Sequence, residues 1–314
     1  MNRCLYCYKE LAQGEQDYHP GCIKKAFGTK GVPEIPYTRE SINDLARDLV
    51  MRQTTVPGVQ PKLSMHLARG EKGEPDRLTL VEMAGDYILK PQAKAYPNLP
   101  ENEDLTMHLA ELSSINVVPH TLARMADGEL CYLTRRIDRD ASGQKVAMED
   151  TCQLSERLTE DKYHSSYEQV AKTINRYSNV GKLDLVNYWE LVMFCWLTGN
   201  SDMHLKNFSL YMPQDGLWRM APAYDLLAVR IAMPSDKEEL ALTLNGKKNN
   251  IKRADFLSAM EKSDINAVVA DRMIGKFAKL RPKWEELIRH SFLPVEQQLA
   301  YIDYITKMLT RIAE

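Results

Sequence analysis

Thr198-Gly199-Asn200-Ser201-Asp202-Met203-His204-Leu205-Lys206-Asn207-Phe208-Ser209 is the stretch that decides the fold, and Ala221-Pro222-Ala223-Tyr224-Asp225 completes it. Just before it, Leu183 to Leu197 repeats with helical period and is apolar nearly all round, which predicts a buried helix. Gly199 ends that helix. Phe208 to Met212 and Trp218 to Met220 read as short strands, with Gln214-Asp215-Gly216 as the hairpin signal between them. An Asp, a His, a Lys and an Asn therefore follow a buried helix, and a second Asp returns after a hairpin.

Those groups have a chemistry in common. Transfer of a phosphoryl group to a hydroxyl needs an Asp to orient the hydroxyl and accept its proton. It also needs an Asn and a second Asp to hold Mg²⁺ against the phosphates. Oxygen ligands suit this hard ion, and few are required because water and phosphate complete its shell. The step from Asp202 to Asn207 has the spacing of the protein-kinase catalytic loop. An Asp-x-His-x-x-Asn match alone also fits a polar loop capping a hairpin; the second Asp, placed after a short hairpin, favours phosphoryl transfer.

The chain on either side has the periodicities of a mixed fold. Toward the N-terminus, Pro33 and Pro36 lie in a linker, and Ser41 opens a helix through Ile42, Leu45 and Leu49. Leu63 to Leu67, Leu78 to Val81, Tyr87 to Leu89, Val117-Val118 and Leu130 to Thr134 read as strands. Glu101 to Ser114 has helical period. Past Arg135 helices dominate: Tyr167 to Ile174, then Ala254 to the end, with breaks near Pro282 and Pro294. A strand-rich first half before a helix-rich second half predicts an α+β protein of two lobes. The boundaries fall at 29–134 and 135–314, after a short segment 1–28.

Two further elements could serve a nucleotide. Lys90 ends the apolar run Tyr87-Ile88-Leu89, where a lysine for the α- and β-phosphates would sit. Thr54 to Lys62 holds Pro57, Gly58 and Pro61, and Gly58 lets backbone approach a ligand closely. Taken alone, Lys90 reads sooner as a solvated strand end and the loop as an ordinary turn.

Composition narrows the class. Hydrophobic residues make up 44% and charged ones 27%, which excludes a disordered or fibrous chain. Forty-one basic residues against 43 acidic give a net charge of −2, arguing against bulk electrostatic binding of nucleic acid. The apolar run Leu191 to Leu197 falls far short of the roughly 20 residues that span a bilayer. The start, Met-Asn-Arg-Cys, has no apolar signal region, so a cytoplasmic protein is expected.

Of 6 cysteines, Cys4, Cys7 and Cys22 cluster near the start. Reduced thiols gathered in this way read as metal ligands sooner than as disulfides. Cys4-Leu5-Tyr6-Cys7 followed by His19-Pro20-Gly21-Cys22 gives four ligands in two close pairs, as tetrahedral structural Zn²⁺ requires. A reduced CxxC with an unrelated His and Cys is the plain alternative. So short a segment has no core of its own, so its folding is expected to depend on the metal while the lobes stand without it.

Pro57-Gly58-Val59-Gln60-Pro61-Lys62, Ile88-Leu89-Lys90, Arg136-Ile137-Asp138-Arg139, the Asp202 block and Ala223-Tyr224-Asp225 together resemble the HipA family of serine/threonine kinase toxins. The resemblance runs in the family's order from about Thr54 to the C-terminal helices. It implies a two-lobed protein-kinase-like fold and ATP–Mg²⁺-dependent transfer to a protein hydroxyl, such as one on an aminoacyl-tRNA synthetase. It implies Asp202 as the catalytic residue, with Asn207 and Asp225 on Mg²⁺. Lys90 would meet the phosphates, Pro57 to Lys62 (Pro57, Gly58, Val59, Gln60, Pro61, Lys62) would cover the nucleotide, and Arg135, Arg136 and Ile137 would line the adenine hinge. His204, Leu205, Lys206 and Tyr224 complete the implied nucleotide site. Thr55, or its neighbour Thr54, stands where relatives carry an inhibitory self-phosphorylated serine. Implied partners are a small helix-turn-helix antitoxin, through which DNA would be reached only indirectly, and a separate small protein supplying the family's N-terminal subdomain. No membrane contact is implied.

Two readings from other classes stay open. Aminoglycoside-type phosphotransferases share the Asp-x-His-x-x-Asn arrangement, although their acceptor helices tend to be acidic and the stretch after Asp225 ends in Lys247 and Lys248. A non-catalytic, zinc-bearing binding module is the other.

Overall fold

The computed structural model describes residues 2–42, 44–45, 62–71, 73–82, 85–140 and 142–314; Thr54, Thr55 and the loop from Pro57 to Pro61 lie outside the described residues. The chain divides into two units. One comprises Met1–Asp104, Val118–Gln144 and His290–Phe292, the other Leu105–Val117, Lys145–Arg289 and Leu293–Glu314.

The first unit is built on an antiparallel sheet. Its strands are β1 (Leu63–Ala68), β2 (Arg77–Leu80), β3 (Tyr87–Pro91), β4 (His120–Arg124) and β5 (Leu130–Arg135), in the order β2-β1-β3-β5-β4. Alternation sends Leu63 and Met65 of β1 into the core. The β3–β5 register sets Lys90 opposite Tyr132, and the β4–β5 register sets Leu122 opposite the same Tyr132.

β4 differs from expectation. Val117-Val118 carries the β-branched signal, yet Val117 makes only an isolated bridge to Ala223, and the strand starts at His120. His120, Thr121, Leu122 and Ala123 are all buried, so the strand has no polar face to produce alternation. Helix Leu99–Leu112 follows β3. It buries Leu105 and Leu109, as its period predicts, and also Asn102, Glu103, Asp104 and Thr106, which it does not predict.

The second unit surrounds the helix Lys182–Thr198. Tyr188, Trp189, Phe194 and Trp196 are at most 1% exposed, as expected of a helix apolar nearly all round. Helices Tyr167–Tyr177, Arg253–Glu261, Ala267–Arg289 and Val295–Ala313 accompany it. The helix Ala267–Arg289 runs through Pro282, contrary to the expected break. Proline there removes one backbone donor. Phe277 and Trp284, fully buried on either side of it, both meet the Phe194 ring, at 6.4 and 5.8 Å between centroids, and hold the helix in place. Pro294 does mark a boundary, as the residue before Val295–Ala313.

A second sheet, β6 (Ala147–Asp150), β7 (Ser209–Met212) and β8 (Arg219–Met220), is ordered β6-β7-β8 and antiparallel. The expected hairpin is β7–β8. Phe208 stays outside it and packs its ring edge-on against Tyr167 and Tyr188. Among the described residues no helix is long and apolar enough to cross a membrane.

Trp284 also donates from its indole Nε1 to Ser113 Oγ at 3.1 Å. Trp284→Ala therefore removes a large buried ring and one donor to Ser113 Oγ, which keeps its own bond to the Leu109 carbonyl. It should lower unfolding free energy by about 3–5 kcal/mol, read from a urea denaturation midpoint.

Candidate active site

Helix Lys182–Thr198 ends in a left-handed turn at Gly199, φ +74°. A Cβ there would stand 2.9 Å from Arg230 Cβ and 3.0 Å from the Tyr304 ring, so only glycine fits both the dihedral and the space. The following loop is held by its backbone. Tyr167 donates to the Met203 carbonyl at 3.1 Å, Thr151 to the Leu205 carbonyl at 2.6 Å, and the Leu205 N–H to the Lys162 carbonyl at 3.1 Å. Asn200 Oδ1 accepts from the Asp202 N–H at 3.2 Å. Residues 200–205 are buried except Asp202, which is exposed.

Asn207 lies back over this loop and donates from Nδ2 to the Asp202 carbonyl at 3.0 Å. That bond engages one of the two amide hydrogens through Nδ2, so the Oδ1 of Asn207 is the end able to accept or to ligate. The following segment is pinned to the loop by Tyr224, whose hydroxyl donates to the Lys206 carbonyl at 2.9 Å and meets Ser209 Oγ at 2.6 Å. Burial pushes the Tyr224 phenol above its usual range. Asp225 comes next with φ +57°, a left-handed conformation uncommon outside Gly, Asn and Asp. An amide oxygen and a carboxylate are hard ligands, and this donor set fits Mg²⁺.

The second unit thus gathers Asp202, His204, Leu205, Lys206, Asn207, Tyr224 and Asp225. Lys206 is turned to the scaffold, its Nζ 2.8 Å from Asp150, and Leu205 is in the core. Burial lowers the His204 pKa to about 4, aided by Lys162 and opposed by Asp202, so the imidazole is neutral near pH 7. Its Nδ1 is buried with no hydrogen-bond partner among the described residues.

One contact has no trace in the sequence pattern. Tyr163 donates its hydroxyl to Asp202 Oδ1 at 2.6 Å, and its ring meets His204 edge-on at 5.0 Å. Burial and that carboxylate push its phenol upward. Tyr163 sits 39 positions before Asp202, in a stretch without periodicity, so only the fold brings them together.

In the first unit, Lys90 is not a solvated strand end. It is 5% exposed, and its Nζ lies 2.5 Å from Glu103 Oε1 on the helix Leu99–Leu112 and 5.4 Å from the Tyr132 ring centre. A lysine–glutamate pair between a strand and the following helix is also a feature of kinases. Lys62 immediately precedes β1 and is exposed. Arg135 closes β5, and Arg136 is turned to Asp138, with Nε 2.8 Å from Oδ1.

The cysteine-rich segment is folded. The Cys4, Cys7 and Cys22 sulfurs and one His19 ring nitrogen all lie within 4.8 Å of one another. His19 Nδ1 is 3.5 Å from Cys7 Sγ and 3.8 Å from Cys22 Sγ, while Nε2 lies 3.0 Å from the Glu10 carbonyl. A carbonyl only accepts, so Nε2 carries the proton and Nδ1 turns its lone pair toward the sulfurs. That is the second contact a zinc-binding histidine needs. The segment is no independent appendage, as its brevity had led us to expect. Leu5, Tyr8, Tyr18 and Phe27 are buried, and the Leu5 carbonyl accepts from the Leu122 N–H of β4 at 3.3 Å.

Comparison with known proteins agrees with this geometry. The family described as HipA-like C-terminal domain matches residues 54–284. A Haemophilus influenzae protein named "Putative kinase" is 26% identical, over 94% of this chain and 92% of its own length. The serine/threonine-protein kinase toxin HipA of Shewanella oneidensis is 25% identical over 56% of this chain, and the match spans 43% of that protein. A solved structure of Shewanella oneidensis HipA with HipB and operator DNA superposes with TM-score 0.68 at 19% identity, covering 96% of this chain and 79% of that one. With the family match spanning most of its length and the fold shared, the chain belongs to the HipA-like family and has its two-lobed, kinase-like α+β fold.

Proposed function

We propose that this protein is an ATP–Mg²⁺-dependent protein kinase that moves the γ-phosphoryl group of ATP to a serine or threonine hydroxyl. The observation that carries the reading is Asp202: exposed at the tip of a loop otherwise buried, with Asn207 folded back onto its carbonyl and Asp225 held nearby by Tyr224. Kinase names among the relatives support it.

In this reading Asp202 orients the acceptor hydroxyl and takes its proton as the oxygen attacks the γ-phosphorus and ADP leaves. Tyr163 occupies Oδ1, so the proton goes to Oδ2 while the tyrosine holds the carboxylate at one angle. Asn207 and Asp225 would hold Mg²⁺, which neutralises charge on the phosphates. Lys90, kept in place by Glu103, binds phosphate oxygens. On the family resemblance, the segment Pro57 to Lys62 would cover the nucleotide and Arg135 to Ile137 would receive the adenine. Zinc on Cys4, Cys7, His19 and Cys22 would be structural, because four protein ligands leave no open position.

The biological role follows as part of the same proposal. The HipA neighbour is solved with HipB and operator DNA. A toxin restrained by an antitoxin of that kind, acting on a protein substrate, is the role we assign here. Self-phosphorylation at Thr55 or Thr54 would place about two negative charges beside the ATP phosphates and lower activity.

Asp202→Asn should reduce transfer to a protein substrate about 10²- to 10⁴-fold while ATP affinity stays unchanged; wild-type turnover in this variant would refute the assignment. Asp225→Ala should weaken ATP binding only when Mg²⁺ is present, as titration calorimetry with and without the metal can show. Tyr163→Phe keeps the ring but frees Asp202 Oδ1, and should slow transfer roughly three- to tenfold with no change in ATP affinity. Intact-mass and peptide analysis after incubation with ATP should find phosphate on the peptide holding Thr54 and Thr55; phosphate confined to other peptides excludes self-control at this loop.

A further inference from the structure

A set of buried hydrogen bonds and ring contacts joins the cysteine-rich segment to Lys90, and all of it lies within the first unit. Tyr8 directly follows Cys7 and has a left-handed backbone, φ +62°. Its ring is 2% exposed, and its hydroxyl donates to Asp104 Oδ2 at 2.7 Å. Asp104, fully buried, receives His120 Nδ1 on its other oxygen at 2.7 Å. The His120 ring stacks on Tyr132 at 6.0 Å, and Lys90 Nζ lies over that tyrosine. Glu103, the partner of Lys90, is the residue before Asp104 on the same helix. The helix therefore has two neighbouring carboxylates, one held by the nucleotide lysine and the other by the cysteine-rich segment.

We propose that the metal-closed segment is a positioning device for the nucleotide site. With Cys4, Cys7, His19 and Cys22 on one zinc ion, Tyr8 is fixed on the helix Leu99–Leu112 and sets the register in which Glu103 meets Lys90. The inference rests on the kinase reading for the role of Lys90 and on the structural zinc for the shape of the segment. Physically the link is strong. Residues 4–9 have little core of their own, and the Cys4 carbonyl already takes the Tyr8 N–H at 2.9 Å, so closing the knuckle fixes where the phenol points. In a dry interior the two oxygens of Asp104 tolerate little displacement of these donors. Opening the knuckle removes the Tyr8 donor from Asp104 and with it one constraint on the helix turn that carries Glu103, which can then move relative to Lys90. Kinases are controlled through this same lysine–glutamate pairing.

The test uses the full chain and titration calorimetry with ATP and Mg²⁺, together with zinc content by elemental analysis and the thermal midpoint. Wild type should contain about one zinc per chain and bind ATP. Tyr8→Phe should keep its zinc but lose roughly three- to tenfold in ATP affinity. Chelation of wild type should cost at least as much affinity, restored by added Zn²⁺. Asp17→Asn is the control: it loosens the segment's ion pair to Arg124 (2.9 Å), without touching Asp104. It should lower the thermal midpoint and leave ATP affinity unchanged. Unchanged affinity in both Tyr8→Phe and chelated wild type overturns the coupling while the kinase reading stands. A fully folded wild type that binds no ATP overturns the kinase reading and the proposal with it, and one that neither contains nor takes up zinc overturns the metal. If Tyr8→Phe does not fold, the chelation arm decides alone.

Discussion

A helix buried on nearly every side must give its last carbonyls partners before the chain can return to water. Lys182–Thr198 does so through Gly199, whose N–H reaches the Trp196 carbonyl while the Asn200 N–H reaches that of Cys195. Every later feature of the Asp202 loop follows from that left-handed exit. The carbonyls of Met203 and Leu205 go to Tyr167 and Thr151, that of Asp202 goes to Asn207, and the loop has little conformational freedom left. Under the proposed kinase reading, a carboxylate on such a loop is aimed before any substrate arrives, which is what electrostatic preorganisation requires.

The first unit solves a different problem. The helix Leu99–Leu112 buries Asn102, Glu103, Asp104 and Thr106, and buried polar groups are costly unless paired. Lys90 answers Glu103; Tyr8 and His120 answer Asp104. Removing either member of a buried ion pair costs more than the pair contributes, because the survivor is left charged in a dry interior. The unit is thereby committed to one placement of helix against sheet, with Lys90 buried against Glu103.

The sequence was most legible where the chemistry is local. Asp202 and Asn207 share one loop and Asp225 follows one hairpin, so spacing alone brings the three into view. The helix Lys182–Thr198 is likewise plain from its apolar run. β4 was hidden because a strand buried on both faces has no period, and Pro282 misled because packing by Phe277 and Trp284 outweighs one missing backbone donor. Tyr163 and Tyr8 were invisible for another reason. Their partners, Asp202 and Asp104, lie 39 and 96 positions away, and a lone tyrosine in an irregular stretch announces neither. The four metal-type ligands could be read from spacing, but their seat on the sheet could not.

That seat has a consequence for the sheet itself. β4 is the outermost strand beside β5, and its far side would otherwise offer unpaired backbone groups. The Leu122 N–H is taken by the Leu5 carbonyl, and the Leu122 carbonyl accepts from the Tyr18 hydroxyl. Those two contacts act as a selvedge. An exposed, flat, apolar strand is a template for pairing with another chain, and natural sheets cover or charge such margins to avoid it. Here the covering is done by a segment that carries three cysteines and a histidine within 4.8 Å of one another. Oxidation of those thiols, or their capture by a foreign metal, that loosened the segment would uncover the edge of this strand, and the damaged molecules would tend to adhere to one another.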